Sequence, residues 1–151
     1  MSDIAKGIKD VYPYLRCKPA IEAIEYYKKT LGAEEIFRLN EKSTGRIGHA
    51  ELKVGGTVLM ISDEYPEYGI LGPLSTGGAG VSLHLHVDNA DAFAKRMIDA
   101  GATMLSPPTD HFYGERSCKV RDPFGHEWMF GHEIEKVSHA EMQKRYDAMF
   151  E

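Results

Sequence analysis

The order of structural signals in this chain runs twice, and that repetition constrains its fold more than any other feature. One strand, one helix and three strands are followed by an irregular stretch, and then the same order returns. Gly32-Ala33 recurs as Gly101-Ala102, 69 residues on. Gly56 recurs as Gly125 at the same offset, and Met60 falls on Met129. The first strands match at an offset of 70, which places Tyr12 on Ser82. Such a chain builds two copies of one supersecondary unit, each with a sheet that must bury one face under its own helix.

Within the first copy, Val11, Pro13 and Leu15 alternate with Tyr12, Tyr14 and Arg16, a period-2 pattern that predicts a strand over Val11–Arg16. A helix is expected from Pro19, with Ile21, Ile24, Tyr27 and Leu31 as its apolar stripe and Gly32 as its stop. Strands follow over 34–40, 46–53 and 57–63. Residues 64–80 hold five glycines and two prolines without periodicity, the composition of a lid, a binding loop or a linker. In the second copy, Val81–Val87 alternates around Ser82, His84 and His86. A helix then starts at Asp88 or Asn89, turns Phe93, Met97 and Ile98 inward and stops at Gly101. Strands are expected over 103–106, 115–121 and 127–132, the last two joined by Asp122-Pro123-Phe124-Gly125. Ser138 and Glu141 have capping-box spacing for a final helix, whose Met142, Tyr146 and Met149 suit contact with a sheet or a partner subunit.

Composition narrows the function classes. Hydrophobic residues at 42% and charged residues at 27% suit a folded core. A net charge of −5 argues against a nucleic-acid binder, which carries a basic face. No run approaches the roughly 18 apolar residues of a membrane span. The opening MSDIAKGIKD has no apolar leader segment, and Cys17 and Cys118 form no C-x-x-C pair, so the expected compartment is the cytoplasm.

Several stretches carry a resemblance to a known family: Glu25-Tyr26-Tyr27-Lys28-Lys29-Thr30-Leu31-Gly32-Ala33, His86-Val87-Asp88-Asn89-Ala90-Asp91 and Arg121-Asp122-Pro123-Phe124-Gly125-His126-Glu127-Trp128. With the repeat, they resemble the vicinal oxygen chelate superfamily. Phe112-Tyr113-Gly114-Glu115-Arg116 resembles its PhnB-like glyoxalase/bleomycin-resistance branch. The resemblance implies an α+β fold of two βαβββ modules forming a paired open half-barrel. As a single domain over 1–151, it would hold module one at about 9–63, module two at about 81–134 and a terminal helix at about 138–150. Metal-dependent members place His, Glu or Gln on the first and fourth strands of each module. The matching positions here are Tyr12, Met60, Ser82 and Met129, none a usual ligand of Zn2+, Mg2+ or Fe2+, so no metal is expected there.

Side chains two apart share a strand face. The implied cleft therefore holds Tyr12, Tyr14, Arg16, Met60, Ser62, Ser82 and Met129 as ligand-binding candidates, with Tyr113 and Arg116 beside them. His84, His86 and Glu127 are the catalytic candidates. The histidines, at i and i+2, are read as cleft-wall hydrogen-bonding groups, as a general acid/base pair, or with Glu127 as a nonstandard divalent metal site. Arg116 suits either a bidentate clamp on an anion or an internal ion pair. The favoured function is small-molecule binding, as in sequestration of a drug or metabolite. The alternatives are a lyase, isomerase or epimerase using His84, His86 and Glu127, or a dimeric scaffold with a vestigial cleft. A homodimer is expected because an open sheet leaves edges to cover.

Overall fold

The computed structural model describes residues 2–151, which divide into two units, one ending at Thr76 and the other running from Gly77 to Glu151. The first contains α1 (Asp3–Lys6), β1 (Tyr14–Cys17), α2 (Ala20–Leu31), β2 (Glu34–Asn40), β3 (Ile47–Val54), β4 (Thr57–Asp63) and the short α3 (Pro73–Thr76). Its sheet has the order β1-β4-β3-β2, with β1 parallel to β4 and the other pairs antiparallel. The second contains β5 (Ser82–His86), α4 (Ala90–Asp99), β6 (Thr103–Asp110), β7 (Glu115–Arg121), β8 (Glu127–Glu133) and α5 (His139–Ala148). Its sheet repeats the scheme as β5-β8-β7-β6, with β5 parallel to β8. Neither sheet closes on itself, and both units are α+β.

Each core lies between a sheet and its helix. In the first unit, α2 buries Ala20, Ala23, Ile24, Tyr27 and Thr30 against Leu15, Leu59 and Ile61. Its stripe differs from the expected one: Ile21 is 48% exposed and Leu31 only half-buried. The helix is rotated so that Ala20 and Ala23 face the sheet. Gly32 ends it in the left-handed region at φ 65°, its N–H donating to the Lys28 carbonyl while the next N–H, of Ala33, donates to the Tyr27 carbonyl. Asp63, buried at the end of β4, accepts from Ala20 N at 2.9 Å and from Ile47 N at 2.6 Å, tying the helix start to β3.

In the second unit, Trp128, Phe130, Val120, Cys118 and Met97 are buried between the sheet and α4. The side chain of Asn89 caps α4 by accepting from Ala92 N. Asp122 organises the Asp-Pro-Phe-Gly turn: one oxygen accepts from Phe124 N and His126 N, and the other from Trp128 Nε1 at 2.8 Å.

Two strand boundaries need correction. The first strand begins at Tyr14 rather than Val11, which is 81% exposed. Pro13 has no N–H to give a ladder, and only its carbonyl joins by accepting from Met60 N. The sixth strand runs to Asp110 through Pro107 and Pro108, tolerated because it is an edge strand with register shifts. Residues 64–80 carry local structure of their own: Tyr65 bridges Ile70, a 3-10 turn spans Pro66–Tyr68, and Glu64 accepts from Gly72 N and Ser75 Oγ. Gly72 passes so close to β1 that a Cβ there would stand 2.4 Å from the Arg16 carbonyl oxygen. Tyr65 is buried in the first unit beneath the Arg46 guanidinium, while Tyr68 is exposed.

Candidate functional site

The sheet of the first unit turns Tyr14 and Arg16 of β1, Met60 and Ser62 of β4, and His49 and Glu51 of β3 to the face away from α2. Tyr14 and Phe37, 39% and 41% exposed, flank His49, with ring centroids 5.3 and 5.6 Å from the imidazole. Aromatic surface thus runs across β1, β3 and β2. The Arg16 guanidinium lies 3.8 Å from the Tyr14 ring centroid and donates to Ser62 Oγ at 2.6 Å. Tyr14 Oη is 2.6 Å from His49 Nδ1, and His49 Nε2 is 2.9 Å from Glu51 Oε2. A carboxylate only accepts, so Nε2 carries the imidazole proton and Nδ1 accepts from the Tyr14 hydroxyl. The face combines an apolar platform, a cation and a phenol held in one orientation.

The second sheet places Ser82, His84 and His86 of β5 on one face with Glu127, Met129 and Gly131 of β8 and Glu115, Ser117, Lys119 and Arg121 of β7. The two histidine rings are 4.9 Å apart. The carboxylate beside them is Glu115, whose Oε1 is 3.2 Å from His86 Nε2. Glu127 pairs with Lys119 at 3.0 Å and stands opposite Ser82 in the ladder. His86, Tyr113, Glu115, Gly131, His132 and Val137 are among the residues around a hollow of about 560 Å³. Arg116 is on the other face, bidentate to Asp91 at 2.8 and 2.9 Å and also bonded to Asp110. This ion pair holds the Asp91 carboxyl below its usual range.

The positions implied for a family metal do not fit one. Tyr12 precedes β1, Met60 and Met129 offer thioethers, and Ser82 offers a neutral hydroxyl. Oxygen- and imidazole-preferring divalent ions need carboxylates or imidazoles instead.

Sequence reasoning singled out neither His49 and Glu51 nor Glu115. The first pair carried a readable signal, i and i+2 on an expected strand. Glu115 did not, because the phase of its strand is set only by pairing with β8.

This architecture, two βαβββ units with open sheets, is that of the glyoxalase and bleomycin-resistance proteins. The chain belongs to the Glyoxalase/Bleomycin resistance protein/Dioxygenase superfamily, whose model matches residues 13–130. It is 35% identical over 134 residues to an uncharacterized protein of Mycobacterium tuberculosis, covering 87% of this chain and 78% of the relative. The structure of protein PA1353 from Pseudomonas aeruginosa is similar at TM-score 0.68 and 29% identity, covering 83% of this chain and 98% of that one. TnmS3, an antibiotic binding protein from Streptomyces sp. CB03234, shares the fold at TM-score 0.62 and 20% identity, covering 84% of this chain and 98% of TnmS3.

Proposed function

We propose that the protein binds a small planar aromatic molecule, a drug or metabolite, on the sheet face of its first unit and without the family's usual metal. The observation that carries this reading is the row of Tyr14, His49 and Phe37, exposed at both ends and half-buried at His49, with Arg16 stacked on Tyr14. Aromatic side chains left facing solvent on an ordered sheet offer stacking area at little conformational cost. The arginine and the Tyr14–His49 pair supply the few polar groups that orient a ligand. An antibiotic binding protein of the same fold supports this use of the scaffold.

The chain is further assigned to the PhnB-like branch, on Phe112-Tyr113-Gly114-Glu115-Arg116, and to the cytoplasm, in keeping with its free thiols Cys17 and Cys118. Among the described residues, no helix is long and apolar enough to cross a membrane. We infer a homodimer, with α5 as a contact: Tyr146 and Met149 are 48% and 60% exposed, and the Tyr146 ring meets Phe112 at a tilt and Phe150 edge-on.

Fluorescence titration with proflavine and with anthraquinone-2-sulfonate, in EDTA, tests the binding reading. Saturable binding of one or both, weakened about tenfold by Tyr14→Ala or Phe37→Ala, is expected. No saturable binding of either probe, or equal binding by both variants, overturns it.

A further inference from the structure

Gly131 lies in the interior of β8, with no positive φ to require a glycine. A glycine there weakens the strand, so its use implies that something approaches the backbone closely. The approaching atoms are donors from two other strands. A Cβ at Gly131 would stand 2.9 Å from His84 Nε2 and 3.0 Å from Glu115 Oε1. The missing side chain is the space into which these groups lean. His86 reaches the same point from one residue pair along β5, and the ligating atoms of His84, His86 and Glu115 all lie within 4.8 Å of one another.

We propose that His84, His86 and Glu115 bind one first-row transition metal ion of borderline softness, of which Zn2+ is the type, above Gly131. Two imidazoles and a carboxylate are a donor set suited to such an ion. In a tetrahedral zinc site neighbouring donors are about 3.3 Å apart. His86 Nε2 and Glu115 Oε1 already stand at 3.2 Å. The remaining closure requires only rotation of histidine rings on the open face, where the His86 side chain is 77% exposed. Three protein donors leave a position for water or a ligand atom, and His86, Glu115 and Gly131 line the 560 Å³ hollow from which it would come. The site uses none of Tyr12, Met60, Ser82 or Met129, and all three of its ligands belong to the second unit.

Zn2+ binding to untagged protein, measured by calorimetry, with the visible spectrum of a Co2+ complex as reporter of the ligand field, tests this site. One ion per chain is expected. His84→Ala, His86→Ala and Glu115→Gln should each weaken binding at least tenfold, while His139→Ala on α5 leaves it unchanged. Gly131→Ala keeps all three ligands but fills their space, and should bind at least tenfold more weakly. Absence of stoichiometric binding overturns the proposal, as does equal weakening by His139→Ala or full affinity in folded Gly131→Ala. If Gly131→Ala does not fold, the three ligand variants decide. Because the aromatic-face titration is run in EDTA, failure of either reading leaves the other standing.

Discussion

The hydroxyl of Tyr14 on β1 is 2.6 Å from Nδ1 of His49 on β3, two strands that are not neighbours in the sheet. The link spans β4 above Met60, whose side chain is flanked by Tyr14 and Glu51 in the ladder. It makes the phenol a donor fixed in direction, backed through the imidazole by Glu51. Nitrogen-15 NMR should find neutral His49 with its proton on Nε2. Glu51→Gln, whose amide can donate as well as accept, should reduce that preference. Finding the proton on Nδ1 in the wild type would overturn the hydrogen-bond order given above.

Glu35 is held between Arg38, at 2.9 and 2.5 Å, and Lys28, at 2.9 Å. The hydrogen bonds from Arg38, followed by those from Lys28, outweigh partial burial and lower its pKa from 4.5 to about 2. A carboxyl whose pKa falls on folding contributes stability above its unfolded pKa and loses it as the pH falls through the folded one. Glu35→Gln should therefore cost about 1 kcal/mol at pH 7, the upper range for a pair this open to solvent. The gap to wild type should shrink as the pH falls from 4.5 towards 2. Urea unfolding at several pH values measures it, and a gap independent of pH would refute the assignment.

Asp122 satisfies two backbone N–H groups and the indole N–H of the fully buried Trp128. Asp122→Ala removes the acceptor these three donors share and should cost about 2–4 kcal/mol, since buried donors that lose an acceptor carry a desolvation penalty. Asp122→Asn, which retains an acceptor oxygen, should lose less. Equal losses in denaturant midpoint would show that the carboxylate's hydrogen bonds do not anchor the turn.

Gly72 faces the Arg16 carbonyl with no room for a side chain. Gly72→Ala should displace the segment over β1 and lower the melting temperature by several degrees, as a loss of about 1–2 kcal/mol does in a unit of this size. An unchanged melting temperature would mean that the segment shifts without cost.

Light scattering should give twice the chain mass of 16.9 kDa at micromolar concentration. Tyr146→Glu should shift it towards the monomer. A wild-type mass of 16.9 kDa across a wide concentration range would remove the dimer and α5 as its contact.

The features legible in the residues are those that local chemistry controls. Gly32 stops α2, Asn89 starts α4, and Asp122-Pro123-Phe124-Gly125 turns the chain between β7 and β8. Each acts through its own backbone or that of residues a few positions away, so element order and the inward faces of β4 and β8 could be read from the residues. Tertiary structure decided the partners. The histidines of β5 stand beside Glu115, while Glu127 turns to Lys119, because β7 and β8 pair Lys119 with Met129 and Ser117 with Gly131. The phase of β7 is indistinct in its own residues, so the register across two strands places its carboxylate. Tyr14 and His49 meet by the same rule: they are 35 residues apart, and only the insertion of β4 between β1 and β3 brings phenol and imidazole within a hydrogen bond.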